Sequence, residues 1–216
     1  MRPQLVIGNK NYSSWSLRPW LAARHAGIEF DEIRVSLFTP EGTAQIQQYS
    51  PSGKVPVWRE GEFMVWDSLA ICEYLAERAP ALWPVDSAAR AVARSVCAEM
   101  HSGFTALRNG MPMNVRARGR RVAITPEIAA DIDRIAALWT DCRSRFGASG
   151  PWLFGAFSIA DAMFGPVVLR FATYGVSRPG VVGDYAAIWM ADSHLQAWIT
   201  AAERESEVIE ADECGR

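Results

Sequence analysis

The sequence predicts an α/β domain followed by an all-helical one, and three observations carry that prediction. Over roughly the first eighty residues, short apolar or alternating runs interleave with segments of helical spacing. A stretch bearing Pro80 and Pro84 then interrupts the pattern as a connector would. Beyond it the chain reads as long helices rich in alanine and punctuated by glycine and proline. The boundaries that follow are 1–79 for the first domain, 80–86 for a linker and 87–216 for the helical domain.

The elements follow in order. Gln4–Gly8 is short and apolar, a strand, and Ser16–Ala26 places Leu17, Trp20, Leu21 and Ala23 largely on one side of a helix that Gly27 stops. Phe30–Leu37 alternates, with Ile33, Val35 and Leu37 set against Glu32, Arg34 and Ser36, the period of a strand. A short helix over Glu41–Tyr49 comes next. Val55–Arg59 and Glu62–Val65 then read as a hairpin turning at Glu60-Gly61. Asp67–Arg78 is a helix with Leu69, Cys72, Leu75 and Ala76 on one face, which completes a βαβαββα order. In the second domain helices are expected over Ala88–Asn109, Pro126–Phe146, Ser158–Tyr174 and Ser193–Glu205.

Composition narrows the function classes. Hydrophobic residues make up 50% of the 216 residues, enough for a sizeable core. Lysine and arginine total 22 against 24 acidic residues, so there is no electrostatic footprint for nucleic acid. The one local exception, Arg116, Arg118, Arg120 and Arg121, reads as a solvated loop between helices. No run approaches the ~18 apolar residues needed to span a bilayer, and Leu5-Val6-Ile7 is too short for a signal segment. Cys72, Cys97, Cys142 and Cys214 are scattered, with no CxxC and no histidine cluster. Neither a metal site nor a disulfide framework is expected, and a reducing cytoplasm fits.

Chemistry concentrates where the first strand meets the first helix. Tyr12-Ser13-Ser14-Trp15-Ser16-Leu17-Arg18 sets three hydroxyls at a helix N-terminus, where backbone amides lack partners and the helix dipole is positive. A plain N-cap accounts for Ser14 or Ser16 but not for the cluster. A positive helix end with hydroxyl donors is also what would hold a thiolate.

The stretch from Ser13 to Arg18 resembles the SSxSxR motif of zeta-class glutathione transferases, the class that includes maleylacetoacetate isomerases. The resemblance implies a thioredoxin-like first domain, glutathione as co-substrate, a small electrophile as second substrate and a homodimer pairing the first domain with the partner's helical domain. It also implies that Ser13 lies against the glutathione sulfur, with Ser14 as the second choice. Thioredoxins carry CxxC at this turn; the chain has Ser13-x-x-Ser16, which argues against thiol–disulfide chemistry by a cysteine of its own. The work asked of the serine is modest. Each pKa unit taken from a bound thiol is ~1.4 kcal/mol, and a hydrogen bond to a charged group contributes about 1.5–3 kcal/mol.

Two further segments match the same family. Ser52-Gly53-Lys54-Val55-Pro56-Val57 resembles its [GMQ]-x-VP-x segment, which implies a cis Val55–Pro56 bond and a Val55 backbone that pairs with the cysteinyl unit like an added strand. Lys54 would reach the glycyl carboxylate, or stand solvated. Asp67-Ser68-Leu69-Ala70-Ile71 resembles [EQ]-S-x-A-I, with Ser68 and the helix amides holding a carboxylate and Asp67 the γ-glutamyl ammonium. Here Asp replaces the usual Glu or Gln and is one methylene shorter; an ordinary Asp N-cap is the alternative. Gly155-Ala156-Phe157-Ser158-Ile159-Ala160-Asp161 resembles G-x-x-[ST]-x-A-D, a structural capping motif.

The acceptor pocket is expected between the domains, with Trp15 on one side and His101, Phe104, Arg108, Met111, Met113 and Asn114 on the other. Methionine and aromatics suit a loose apolar pocket, and at these spacings they equally suit ordinary core. Arg108 would pair with an anionic substrate or a neighbouring glutamate. Arg170 does not fall on the position of the family's acceptor-binding arginine. Alternatives to transfer or isomerisation are a glutathione-dependent peroxidase or disulfide reductase on the same tripeptide site, and a non-catalytic binding or interaction module.

Overall fold

The computed structural model describes residues 2–216. Four strands, β1 (Gln4–Ile7), β2 (Asp31–Arg34), β3 (Val57–Glu60) and β4 (Phe63–Trp66), form one sheet in the order β2-β1-β3-β4. β1 runs parallel to β2, with Gln4 opposite Asp31, and antiparallel to β3, with Val6 opposite Val57. A parallel pair needs a crossover, and α1 (Ser14–His25) supplies it. β3 and β4 close as a hairpin at Gly61, whose φ of +61° suits glycine. In β1, Leu5, Val6 and Ile7 are all fully buried, which is why this strand reads as an unbroken apolar run: both faces of the sheet are covered. On one face α2 (Pro40–Tyr49) places Ile46 against Val6, Val35 and Val57. On the other, α1 and α3 (Ser68–Arg78) join Leu5 and Ile7 to the main core.

The helical domain comprises α4 (Ser87–Ser102), α5 (Thr105–Gly110), α6 (Pro126–Phe146), α7 (Ile159–Tyr174), α8 (Val181–Ala191) and α9 (Ser193–Glu203). α7 is buried over nearly its whole length and packs directly on α1. Gly165 allows the approach, because a Cβ there would stand 2.8 Å from Leu21 Cδ1. One apolar core therefore runs through both domains. Asp161, fully buried at the start of α7, accepts from Leu153 N at 3.0 Å, Ser158 N at 2.9 Å, Ser158 Oγ at 3.0 Å and Tyr185 Oη at 2.9 Å. Burial pushes its carboxyl up to about 6, against those four donors.

Four expectations are corrected. The single helix over Ala88–Asn109 is two, broken where Gly103 is extended and Phe104 takes a left-handed conformation at φ +59°. The first turn of α5 is held by Asp131 Oδ2 of α6, which accepts from Leu107 N at 2.9 Å; no local signal announces such a distant partner. β2 ends at Arg34, although Val35 N still donates to Ile7 O. α8 was not singled out, since Gly180 and Gly183 make its start resemble a loop, yet it buries Tyr185 and Trp189. Finally, the arginine run is not a solvated loop. Arg116 donates to Glu205 O and, at 2.6 Å, to Glu207 O, while Arg120 pairs with Glu213 at 2.5 Å, so the run binds the C-terminal tail to the body.

Candidate active site

Ser13 precedes the first turn of α1 but its hydroxyl caps nothing. It donates instead to Ser16 Oγ at 2.8 Å, and Ser16 Oγ also accepts from Gly8 N at 3.2 Å. Ser14 Oγ accepts from Arg170 Nη2 at 3.3 Å. Both serines, with Trp15, line a cavity of about 620 Å³ between the domains. A second cavity of about 410 Å³ is lined by Trp15, Ser52, Lys54, Val55, Pro56, Asp67 and Ser68. The two share Trp15, Lys54 and Val55, so they adjoin, with these residues as their common wall.

The smaller cavity gathers the residues of the second and third motifs. The Val55–Pro56 peptide is cis. Asp67 stands at φ +71°, a region rarely used by a residue with a side chain, with Oδ1 capping α3 through Leu69 N at 2.8 Å and Ala70 N at 3.4 Å. Its Oδ2 faces His101 Nε2 at 3.3 Å. The Ser68 hydroxyl is buried and has no partner among the described residues. A buried hydroxyl without a partner costs stability, and it suits a ligand. Lys54 makes no ion pair among the described residues, and its amide donates to Ser50 Oγ at 3.2 Å.

Trp15 divides the two cavities and is held by cations. The Arg18 guanidinium lies 4.2 Å and that of Arg108 4.7 Å from its ring centre. Arg18 is fully buried, with Nε and Nη1 unpartnered. Burial first, then Arg108 and Arg170, lower its pKa to about 9. Arg170 is likewise buried and drawn down to about 10, by burial and then by Arg108. Arg108 and Arg170 line the larger cavity and make its wall positive, with Arg18 buried behind Trp15.

Of the residues expected in the acceptor pocket, Trp15, Arg108 and Met113 line the larger cavity. The others do not. Met111 is fully buried core, and Phe104 packs at the break between α4 and α5. Asn114 is a buried tie, accepting from Asn11 Nδ2 at 3.0 Å and donating to Glu213 at 2.8 Å. His101 meets the Trp15 ring edge-on at 5.3 Å and faces Asp67, so it sets the wall from behind. Its pKa is lowered by burial foremost, with Arg18 and Arg108 adding and Asp67 opposing, which keeps it neutral at neutral pH. Reading the sequence missed Tyr12, Phe38 and Asp212, and passed over Arg170, all of which line the larger cavity. Arg170 and Asp212 lie far along the chain from the serines, and only tertiary packing brings them there.

Chemistry by the buried cysteines is disfavoured. Cys72, Cys97 and Cys142 are buried with thiol pKa values raised by burial, that of Cys142 to about 12. No grouping of three or more His, Cys, Asp or Glu among the described residues could hold a metal ion. No helix among them is long and apolar enough to cross a membrane.

A thioredoxin-like domain followed by helices, with a cleft running from the cis-proline turn to the first helix, defines a class, and comparison with known proteins supplies the family. The N-terminal domain model of glutathione S-transferases matches residues 12–78 and the C-terminal domain model residues 123–201. The chain belongs to the glutathione transferase family, and its curated relatives are nearest the zeta class. It is 32% identical over 110 residues to a probable maleylacetoacetate isomerase of Caenorhabditis elegans. It is 28% identical over 116 residues to a zeta-class glutathione S-transferase of Euphorbia esula. The matched stretches span 50% of this chain and 50% of the first relative, 52% of each for the second. In fold it is similar to a glutathione transferase homologue of Burkholderia with bound glutathione, at a TM-score of 0.72 and 21% identity over 95% of this chain and 100% of that one.

Proposed function

We propose that the protein is a serine-type glutathione transferase that binds glutathione and directs its thiolate at a small electrophile, by conjugation or isomerisation. The observation that carries this reading is the pair of adjoining cavities, which suit the two substrates. The partnerless Ser68 hydroxyl at the N-terminus of α3 suits the γ-glutamyl carboxylate, and Asp67 beside it suits the ammonium. Val55 offers backbone groups to the cysteinyl unit, and the Lys54 ammonium suits the glycyl carboxylate. That arrangement would carry the sulfur toward Ser13 at the helix N-terminus.

Activation then asks for one rearrangement. In the structure Ser13 donates to Ser16. A hydroxyl is both donor and acceptor, so Ser16 can donate to Ser13 while Ser13 donates to the thiolate. The positive wall of Arg108 and Arg170 favours the same thiolate and favours acceptors that carry a carboxylate. Calorimetric titration with glutathione tests the reading; the expected result is binding with thermal stabilisation, and neither signal at millimolar glutathione would refute it.

The same reading includes a cytoplasmic homodimer. β4 is an edge strand of the sheet and exposes Phe63 and Trp66, the kind of edge that proteins cover. Phe63→Glu is expected to shift a sedimenting dimer to monomer; a chain that sediments as monomer at micromolar concentration without any substitution contradicts it.

A further inference from the structure

We infer that Asp212 is a catalytic residue of the larger cavity, the proton donor for conjugate addition of the glutathione thiolate to α,β-unsaturated carbonyl acceptors. The inference rests on the function proposed above and adds a second catalytic group to it.

Asp212 lies in the C-terminal tail, yet it lines the same cavity as Ser13, Ser14 and Arg170. The tail is held there by its neighbour. Glu213 accepts from Tyr12 Oη at 2.7 Å, Asn114 Nδ2 at 2.8 Å and Arg120 Nη2 at 2.5 Å. Upstream, Glu205 accepts from the Lys10 amide at 2.7 Å and the Asn11 amide at 2.9 Å, which ties the tail to the loop that carries the serines. Glu213 is thus consumed by structure. The Asp212 carboxylate has no hydrogen bond and no ion pair within 4 Å among the described residues; only its backbone is engaged, the amide donating to Ile209 O at 2.9 Å and the carbonyl accepting from Asn114 Nδ2 at 3.4 Å. A half-buried, unengaged carboxyl on a firmly placed segment, facing the space where an acceptor would sit, is what proton transfer to a substrate requires.

The surroundings suit the acid form. Burial raises its pKa first, and Glu213 adds to that, while Arg170 opposes. The other titratable or charged groups of the same cavity are Tyr12, Lys54 and Arg108, and Tyr174 lies within electrostatic reach of Asp212. In the step itself the thiolate attacks the β-carbon and a C–S bond forms. The π pair of the double bond moves through the α-carbon to the carbonyl oxygen, giving an enolate beside Arg170. Asp212 gives its proton to the α-carbon as the enolate pair returns there, leaves as carboxylate and recovers a proton from water. Aromatic substitution differs, since the bond to halide breaks and the halide departs with its pair, without a proton being needed.

The test compares the two reactions in one protein. Ethacrynic acid serves as the addition substrate and chlorodinitrobenzene as the substitution substrate, each with glutathione. In Asp212→Asn the ratio of kcat/KM for addition to that for substitution is expected to fall roughly a hundredfold. Asp212→Glu, which keeps a carboxylic acid, is expected to recover most of that ratio. An unchanged ratio in Asp212→Asn, whether both activities fall together or neither does, overturns the assignment and leaves the function standing. Failure of the unaltered chain to bind glutathione overturns the function and the assignment with it.

Discussion

The two halves of the cleft are built by different means. The smaller cavity is made of local devices: a cis-proline turn, a helix N-terminus, and short runs in which neighbouring residues in sequence are neighbours in space. The larger cavity is made of distant parts. Arg108 comes from α5, Arg170 from α7 and Asp212 from the tail, and they meet the serine turn only because α7 packs on α1 and the tail is tied back across it. The first half suits a fixed ligand and the second is where specificity can vary. Substitutions in one half should therefore alter one substrate and spare the other.

The largest effect is expected at Arg170. Arg170→Met removes a buried cation that touches Ser14 and Met111 O. Losing a desolvated charge contact costs about 2–5 kcal/mol, so kcat/KM for a carboxylate-bearing acceptor should fall at least roughly thirtyfold. Glutathione affinity should hold. Equal losses for charged and neutral acceptors would mean that Arg170 is only a strut between α1 and α7.

Ser68 should give a smaller and more selective effect. Ser68→Ala removes a buried hydroxyl that has no partner among the described residues. The free protein should melt no lower, because an unsatisfied polar group is lost. Glutathione affinity should weaken by about tenfold, or ~1.4 kcal/mol. A lower melting point with unchanged affinity would show that the hydroxyl serves the fold rather than the ligand.

The contrast between the halves also explains what the sequence disclosed. The βαβαββα order was legible because β1, β3 and β4 carry strand patterns and Gly27 and Gly61 punctuate them. The serine turn and the residues around Val55-Pro56 and Asp67-Ser68 were legible as contiguous motifs. The larger cavity was not. Periodicity placed Phe104, Met111 and Asn114 near it, but a left-handed turn at Phe104 redirects the chain and buries them. The role of Arg116 and Arg120 was hidden for the same reason, since their partners Glu205, Glu207 and Glu213 lie about ninety residues away, and loops closed over such lengths leave no local signature. Trp15 shows the limit in one residue. Its neighbours in sequence predicted its place in the cleft, and only the structure revealed its stack of Arg18 and Arg108.

Ser13 joins the two halves, and the ionisation of bound glutathione there tests the whole reading most directly. The pKa of the bound thiol is to be followed by thiolate absorbance across pH in the unaltered chain, Ser13→Ala and Ser14→Ala. Ser13→Ala is expected to raise that pKa by about one to two units, equivalent to ~1.4–2.7 kcal/mol. Turnover should therefore fall about ten- to a hundredfold at neutral pH, and the deficit should shrink as pH rises and the thiol ionises unaided. Ser14→Ala should shift it less. A larger shift in Ser14→Ala would move the sulfur contact by one residue, and no shift in either variant would contradict the serine assignment and leave activation to the helix end and its arginines.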